Sequence, residues 1–172
     1  MRARPCTKAG VLALALLAVG GCAGASRPPA ADDATCARLL DQFDAYEALP
    51  TPGFDFRQMQ LAKIRQYGCL TFSRQLTGLE GAAVARPAGV PQGPRLAAPV
   101  AVHAGVVTSD ADAARAVAFF EGLGYRARSV GTSRLGARVY VEARSAADIE
   151  QILASARDAG FVGPYVSRFA RF

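Results

Sequence analysis

VAVHAGVVTSDADAARAVAFFEGLGY at residues 100–125 and ARVYVEARSAADIEQILASARDAGF at residues 137–161 decide the fold, because they are one pattern written twice. Each copy runs from an apolar strand through Ser-x-x-Asp into an Ala-rich helix and closes on Gly followed by an aromatic residue. Ser109 and Asp112 open the first helix and Ser145 and Asp148 the second, a variant of the capping box in which a serine oxygen satisfies a free N–H of the first turn. Gly124 and Gly160 stand where a helix end needs a left-handed residue. Apolar stripes at helical spacing, Ala113, Ala116, Val117 and Phe120 in one copy and Ile149, Ile152, Leu153 and Ala156 in the other, give each helix one face to bury. The pattern predicts strands over 100–107, 125–130, 137–143 and 161–168 and helices over 110–123 and 146–159. In the order β-α-β-β-α-β this is an α+β fold of ferredoxin-like or RNP-like type, a four-stranded antiparallel sheet with two helices on one face and the other face bare.

Side chains alternate across a strand, so parity sorts each strand between the two faces. Val102, Ala104, Val106, Tyr125, Ala127, Val139, Val141 and Val162 or Val166 belong under the helices. The remaining set is His103, Arg126, Arg128, Arg138, Tyr140 and Tyr165. Tyr rings pack flat against sugars or bases, and Arg forks donate paired hydrogen bonds to carboxylate, phosphate or carbonyl oxygen. The plainer reading is an ordinary solvated sheet face, for which Arg and Tyr are common choices.

The chain begins with Arg2, Arg4 and Lys8, then an apolar run over residues 9–19, then Val19-Gly20-Gly21-Cys22. The run is eleven residues long, well short of the roughly 20 that span a bilayer, so it reads as a secretory signal. The residues around Cys22 resemble a bacterial lipobox, in which the Cys becomes the lipidated first residue; an ordinary signal cleaved nearby is the alternative. Several acyl chains, at about 0.8 kcal/mol per buried methylene, anchor a protein stably. Ala23 in place of Asp after the Cys favours the outer membrane, which puts the mature protein in the periplasm. The whole chain carries +6, but without the signal it holds seventeen basic and fourteen acidic residues, about +3, too mild to imply nucleic acid. Cys36 and Cys69 are then the one possible disulfide in an oxidising space, closing a loop of about thirty residues for roughly 3 kcal/mol. Free thiols are the alternative, and with no Cys-x-x-Cys a redox role has little to stand on.

The mature chain divides into a tether over 22–34, a helical region over 35–80, a linker over 81–98 and the terminal domain over 99–172. Thr35 is the expected N-cap of a helix carrying Cys36, Leu39, Leu40, Phe43 and Tyr46 or Glu47; residues 50–53 break it, and a second helix with Phe56, Met59, Gln60, Lys63 and Ile64 ends at Gly68. The two form a hairpin tied by the disulfide. Pro87, Pro91, Pro94 and Pro99 mark the linker, whose eighteen residues, extended at roughly 3 Å each, would hold the terminal domain on the order of 50 Å from what precedes it.

The terminal domain resembles a SPOR domain, the peptidoglycan-binding module of bacterial cell-division and envelope proteins. The resemblance covers residues 99–169 and rests on Val102-His103-Ala104-Gly105-Val106, on Gly124-Tyr125, on Arg138-Val139-Tyr140-Val141, and on Ala159-Gly160-Phe161 with Tyr165-Val166. It implies a sheet face that binds glycan strands lacking stem peptides, with His103, Arg126, Arg128, Arg138, Tyr140 and Tyr165 as contacts. The family usually carries Gln where His103 stands, and Gly-Pro-aromatic where this chain has Glu142-Ala143-Arg144.

The sequence reading is therefore a non-enzymatic, lipid-anchored protein whose partner is peptidoglycan glycan, with no cofactor. Its rival is an envelope adaptor that binds another protein through the sheet face or the helical hairpin. One His, no His-Glu-x-x-His, no Gly-x-Ser-x-Gly and no paired carboxylates on one strand face leave an enzyme without acid, base or nucleophile, and a lone His makes no metal site. Glu121 and Glu142 read as solvated surface. An RNA-binding sheet would need stacking aromatics on its central strands in a cytosolic protein, and export argues against nucleic acid.

Overall fold

The computed structural model describes residues 32–51, 53–79, 94–132, 136–170 and 172. The signal peptide, Cys22, nearly all of the tether and residues 81–93 of the linker lie outside these. The elements are α1 (Asp33–Glu47), α2 (Phe54–Gln66), a short 3-10 turn (Ser73–Gln75), β1 (Arg95–Val107), α3 (Asp110–Gly122), β2 (Ala127–Thr132), β3 (Gly136–Ser145), α4 (Ala146–Asp158) and β4 (Tyr165–Ser167). The fold is α+β, with a four-stranded sheet in the order β2-β3-β1-β4 and every neighbouring pair antiparallel. Cys36 and Cys69 form the disulfide, with Cα atoms 5.3 Å apart.

The repeat dictates the local structure. Ser109 and Ser145 are the N-caps of α3 and α4, each accepting from the backbone N–H of the Asp three residues on, at 3.0 and 3.1 Å. Both helices end alike: Gly124 N–H donates to Glu121 O and Tyr125 N–H to Phe120 O, while Gly160 N–H donates to Arg157 O and Phe161 N–H to Ala156 O. Such a paired ending needs a left-handed residue, and the φ values of Gly124 and Gly160 are 84° and 90°. Gly160 is doubly constrained, because a Cβ there would lie 1.9 Å from the carbonyl oxygen of Gln75.

Ala113, Ala116 and Phe120 of α3 and Ile152 and Ala156 of α4 bury against Val102, Ala104, Val107, Val139, Val141 and Ala143. Val106 departs from the expected parity. His103 pairs with Tyr140 but Gly105 with Val139, so β1 carries one extra residue, and beyond this bulge Val106 turns to the opposite face while Val107 takes its place.

Four expectations change. Helix α1 starts two residues earlier than Thr35, capped by Asp32, whose carboxyl accepts from Thr35 N–H at 2.8 Å. Strand β1 starts at Arg95, inside the expected linker, while β2 is displaced to Ala127–Thr132 and β4 shortened to Tyr165–Ser167. The helical region is not held away from the terminal domain. Thr71 forms a parallel bridge to Val107, donates to Val106 O at 2.7 Å and accepts from Val162 N–H at 3.1 Å, and Leu76 is buried in the α3/α4 core with Leu79 packed on it. Residues on both sides of 80–93 thus belong to the same body, which rules out a 50 Å spacer between two units. Finally, the second sheet face is not bare: the α1/α2 hairpin lies on it, making three layers, helices, sheet and hairpin.

Candidate functional site

The hairpin meets the sheet through an apolar cluster that includes Leu40, Phe43 and Val106, and through one buried acid. Asp44, on the buried face of α1 with Leu40 and Phe43, is 5% exposed. Its carboxylate accepts from Arg138 at 2.8 Å, from the Tyr140 hydroxyl at 2.9 Å to both oxygens, from the Tyr165 hydroxyl at 2.5 Å and from the Ser167 hydroxyl at 3.3 Å. Donors from β3 and β4 therefore converge on one acid. Arg138 also stacks over the Phe43 ring, 5.2 Å from its centroid, and lies 4.0 Å from Glu47, which accepts from Arg57 at 2.5 Å. Burial opposes the charge of Arg138, but Tyr140, Asp44 and Glu47 outweigh it and raise its pKa. Burial and the adjacent Asp44 push the hydroxyl of Tyr165 up as well.

His103 sits beneath α1, fully buried, between the rings of Tyr140 and Tyr165 at 5.2 and 4.8 Å. Neither ring nitrogen has a hydrogen-bond partner among the described residues. Desolvation drives its pKa down to about 4, with Asp44 pulling upward and Arg138 downward, so at neutral pH it is an uncharged core ring.

The structure places all six expected contact residues on the face away from α3 and α4, but divides them. His103, Arg138, Tyr140 and Tyr165 lie under α1 and are not the accessible sugar contacts the strand pattern implies. Arg126 and Arg128, on the outer edge of the sheet, remain exposed. Arg126 pairs with Glu142 at 3.1 Å and Arg128 stacks over the Phe172 ring at 5.1 Å. Glu142 is buried between Arg126 and Arg144, where the sequence suggests solvated surface.

Magnitudes decide whether the face can open for a ligand. Leu40 and Phe43 are worth roughly 1.5–3 kcal/mol each in burial, and separating a buried charge from its partners costs about 3–5 kcal/mol. The sum, about 6–11 kcal/mol, matches or exceeds the ~8 kcal/mol that a micromolar ligand supplies. The Asp44 cluster is accordingly an internal clamp between hairpin and sheet, not an open face.

Beside α1 an open cleft is lined by Asp44, Glu47 and Ala48 at the end of the helix, Arg128 and Val130 from β2, the outer edges of Arg138 and Tyr140, and Phe169 and Ala170 from the C-terminal segment. The aromatics of the last residues were not singled out in the sequence, since they fall beyond the repeat. Asp44 does carry a signal: it stands at i+4 from Leu40 and i+8 from Cys36, an acid on the helix's own apolar stripe. Among the described residues no helix is long and apolar enough to cross a membrane, and no group of three or more His, Cys, Asp or Glu is placed to hold a metal ion. No family model, curated protein or solved structure matches the chain.

Proposed function

We propose that the chain is a non-enzymatic, lipid-anchored periplasmic protein, carried on the outer membrane, that binds peptidoglycan glycan strands at the rim of its sheet. The resemblance to a SPOR domain, the lipobox-like Cys22 and the β-α-β-β-α-β sheet support this reading. One observation directs it: of the six residues that strand alternation puts on this face as candidate glycan contacts, Arg126 and Arg128 stay at the surface, and Arg128 lines an open cleft. Contact at the rim leaves the Asp44 clamp intact. The test is co-sedimentation of residues 23–172, without the anchor, with native and amidase-treated sacculi. Retention is expected on both and stronger on the treated ones; absence from both pellets overturns the reading.

A second reading, an envelope adaptor, draws on the hairpin. Leu49, Phe54, Phe56 and Met59 are all exposed where α1 turns into α2, a cluster that suits a protein partner. Cross-linking in cells followed by recovery of one stoichiometric partner, with no retention on sacculi, favours it over glycan binding.

A further inference from the structure

We infer that the exposed face of α2, with the turn that leads into it, is a docking surface for a lipid bilayer carrying anionic headgroups. Docking there is independent of glycan binding and draws only on the anchored part of the reading above.

The apolar surface is concentrated on one helix and its flanks. Leu49, Phe54, Phe56, Met59, Tyr67 and Phe72 are all large, exposed and confined to residues 49–72. Phe56, Met59, Lys63 and Tyr67 follow at i, i+3, i+7 and i+11, one exposed stripe distinct from the inward side of Gln60, Leu61 and Ile64. Phe54, 71% exposed, opens the helix. The turn is pinned: the Tyr46 hydroxyl donates to Gly53 O at 2.7 Å, and its ring packs on Phe56 with centroids 4.3 Å apart. A patch held in this way loses little freedom on docking.

Charge selects the partner. Lys63 and Arg65 stand in the last turn of α2, and Arg74 lies over the Phe72 ring at 5.5 Å. The one acid of α2 is Asp55, in its first turn. On α1, Asp44 and Glu47 are engaged by Arg138 and Arg57, Asp33 accepts from Gly163 N–H and faces Arg157, and Asp41 is half-buried. Aromatic and aliphatic residues with basic neighbours are the composition of a helix that lies in the headgroup layer. Helix α2 has thirteen residues, and no described helix is long and apolar enough to cross a membrane.

The tether decides between lipid and a protein partner, to which the adaptor reading gives the same residues. Ten residue steps lead from Cys22 to Asp32, the N-cap of α1, at most about 36 Å when fully extended. Helix α1, with fifteen residues, is about 22 Å long. An anchored chain therefore keeps the α2 stripe within reach of the bilayer, at an effective concentration on the order of millimolar. A face too weak to hold the free chain on lipid is enough to hold the tethered one.

The chain has no Trp, so Phe54→Trp supplies a single fluorescent reporter. The mature chain from Cys22, with Cys36 and Cys69 oxidised, is coupled through the Cys22 thiol to a maleimide lipid in vesicles of phosphatidylethanolamine and phosphatidylglycerol. Its emission is expected to shift to the blue and to be quenched by brominated acyl chains. Met59→Ser and Lys63→Gln, added singly, should each lower the ratio of docked to undocked chain about fivefold. Val166→Ser, at an exposed apolar position that strand alternation puts on the far side of the sheet, should change nothing. Unchanged thermal melting is the folding control for all of them. Emission that tethering leaves unaltered overturns the docking surface. So does a reporter already buried without vesicles in a sedimenting dimer, which gives the face to a second copy. The anchor is read separately, by incorporation of labelled palmitate at Cys22 in cells; its absence overturns the anchored reading, while the thiol-coupled chain still reports on the face.

Discussion

The two faces of the sheet are buried by opposite means. Against α3 and α4 the sheet presents Val102, Ala104, Val107, Val139, Val141 and Ala143, and the centre of the contact is apolar. Against α1 it presents an imidazole, a guanidinium and two phenols, with one carboxylate satisfying most of them. The first face tolerates exchange among apolar residues of similar size. The second adds to its apolar cluster a dependence on one carboxylate, because removing one partner of a buried charge leaves the others desolvated and unpaired. What looks from the sequence like a ligand cradle is a protein–protein interface within one chain.

The hardest way to break the contrast is Asp44→Ala, which strands Arg138, Tyr140 and Tyr165. A loss of about 3–5 kcal/mol is expected by urea unfolding, against less than about 1.5 kcal/mol for Ile152→Val on the apolar face; equal losses would mean the carboxylate is not the centre of the contact. Next comes replacement of Cys36 and Cys69 by serine, expected to cost about 3 kcal/mol by releasing the hairpin's loop in the unfolded chain.

The His103 imidazole gives a pH test of similar size. Its pKa is about 4 in the folded protein against an ordinary value of 6.5. Between those values the unfolded chain binds the extra proton, so stability falls as pH falls, and none of this contribution remains below the folded pKa. From pH 7.5 to 4.5 the loss from this group is about 2.5 kcal/mol. The same measurement on His103→Phe should show a drop smaller by that amount; an unchanged slope would show the ring to be hydrated. The mildest probe is Ser167→Ala, which removes the longest of the Asp44 hydrogen bonds together with the acceptor for the N–H groups of Phe169 and Ala170 and should cost about 1–1.5 kcal/mol.

The terminal domain was legible because its signals are local. Serine caps, glycine endings and two helical stripes each act within a few residues, and strand alternation placed all six polar residues on the correct face. Val106 escaped because a bulge shifts parity by one, and only the pairing of His103 and Gly105 with β3 reveals it. The cover on that face escaped for a different reason. Asp44 lies 94 residues from Arg138 and 121 from Tyr165, and no periodicity encodes a contact of that range. The Pro-rich composition of residues 81–98 suggested distance, yet composition constrains local backbone and is silent about whether the flanking pieces meet.

That meeting has a practical corollary. Leu79 and Arg95 border the connection yet are each anchored in shared structure, by the core beneath α3 and α4 and by pairing with Ser145. A chain severed between them should stay assembled as two complementary fragments, and new termini should be accepted there. A fragment that starts at Pro99, by contrast, would lack Thr71, Leu76 and the whole hairpin, laying an unpaired arginine and two tyrosines open to water. It would be a different molecule from the domain inside this protein.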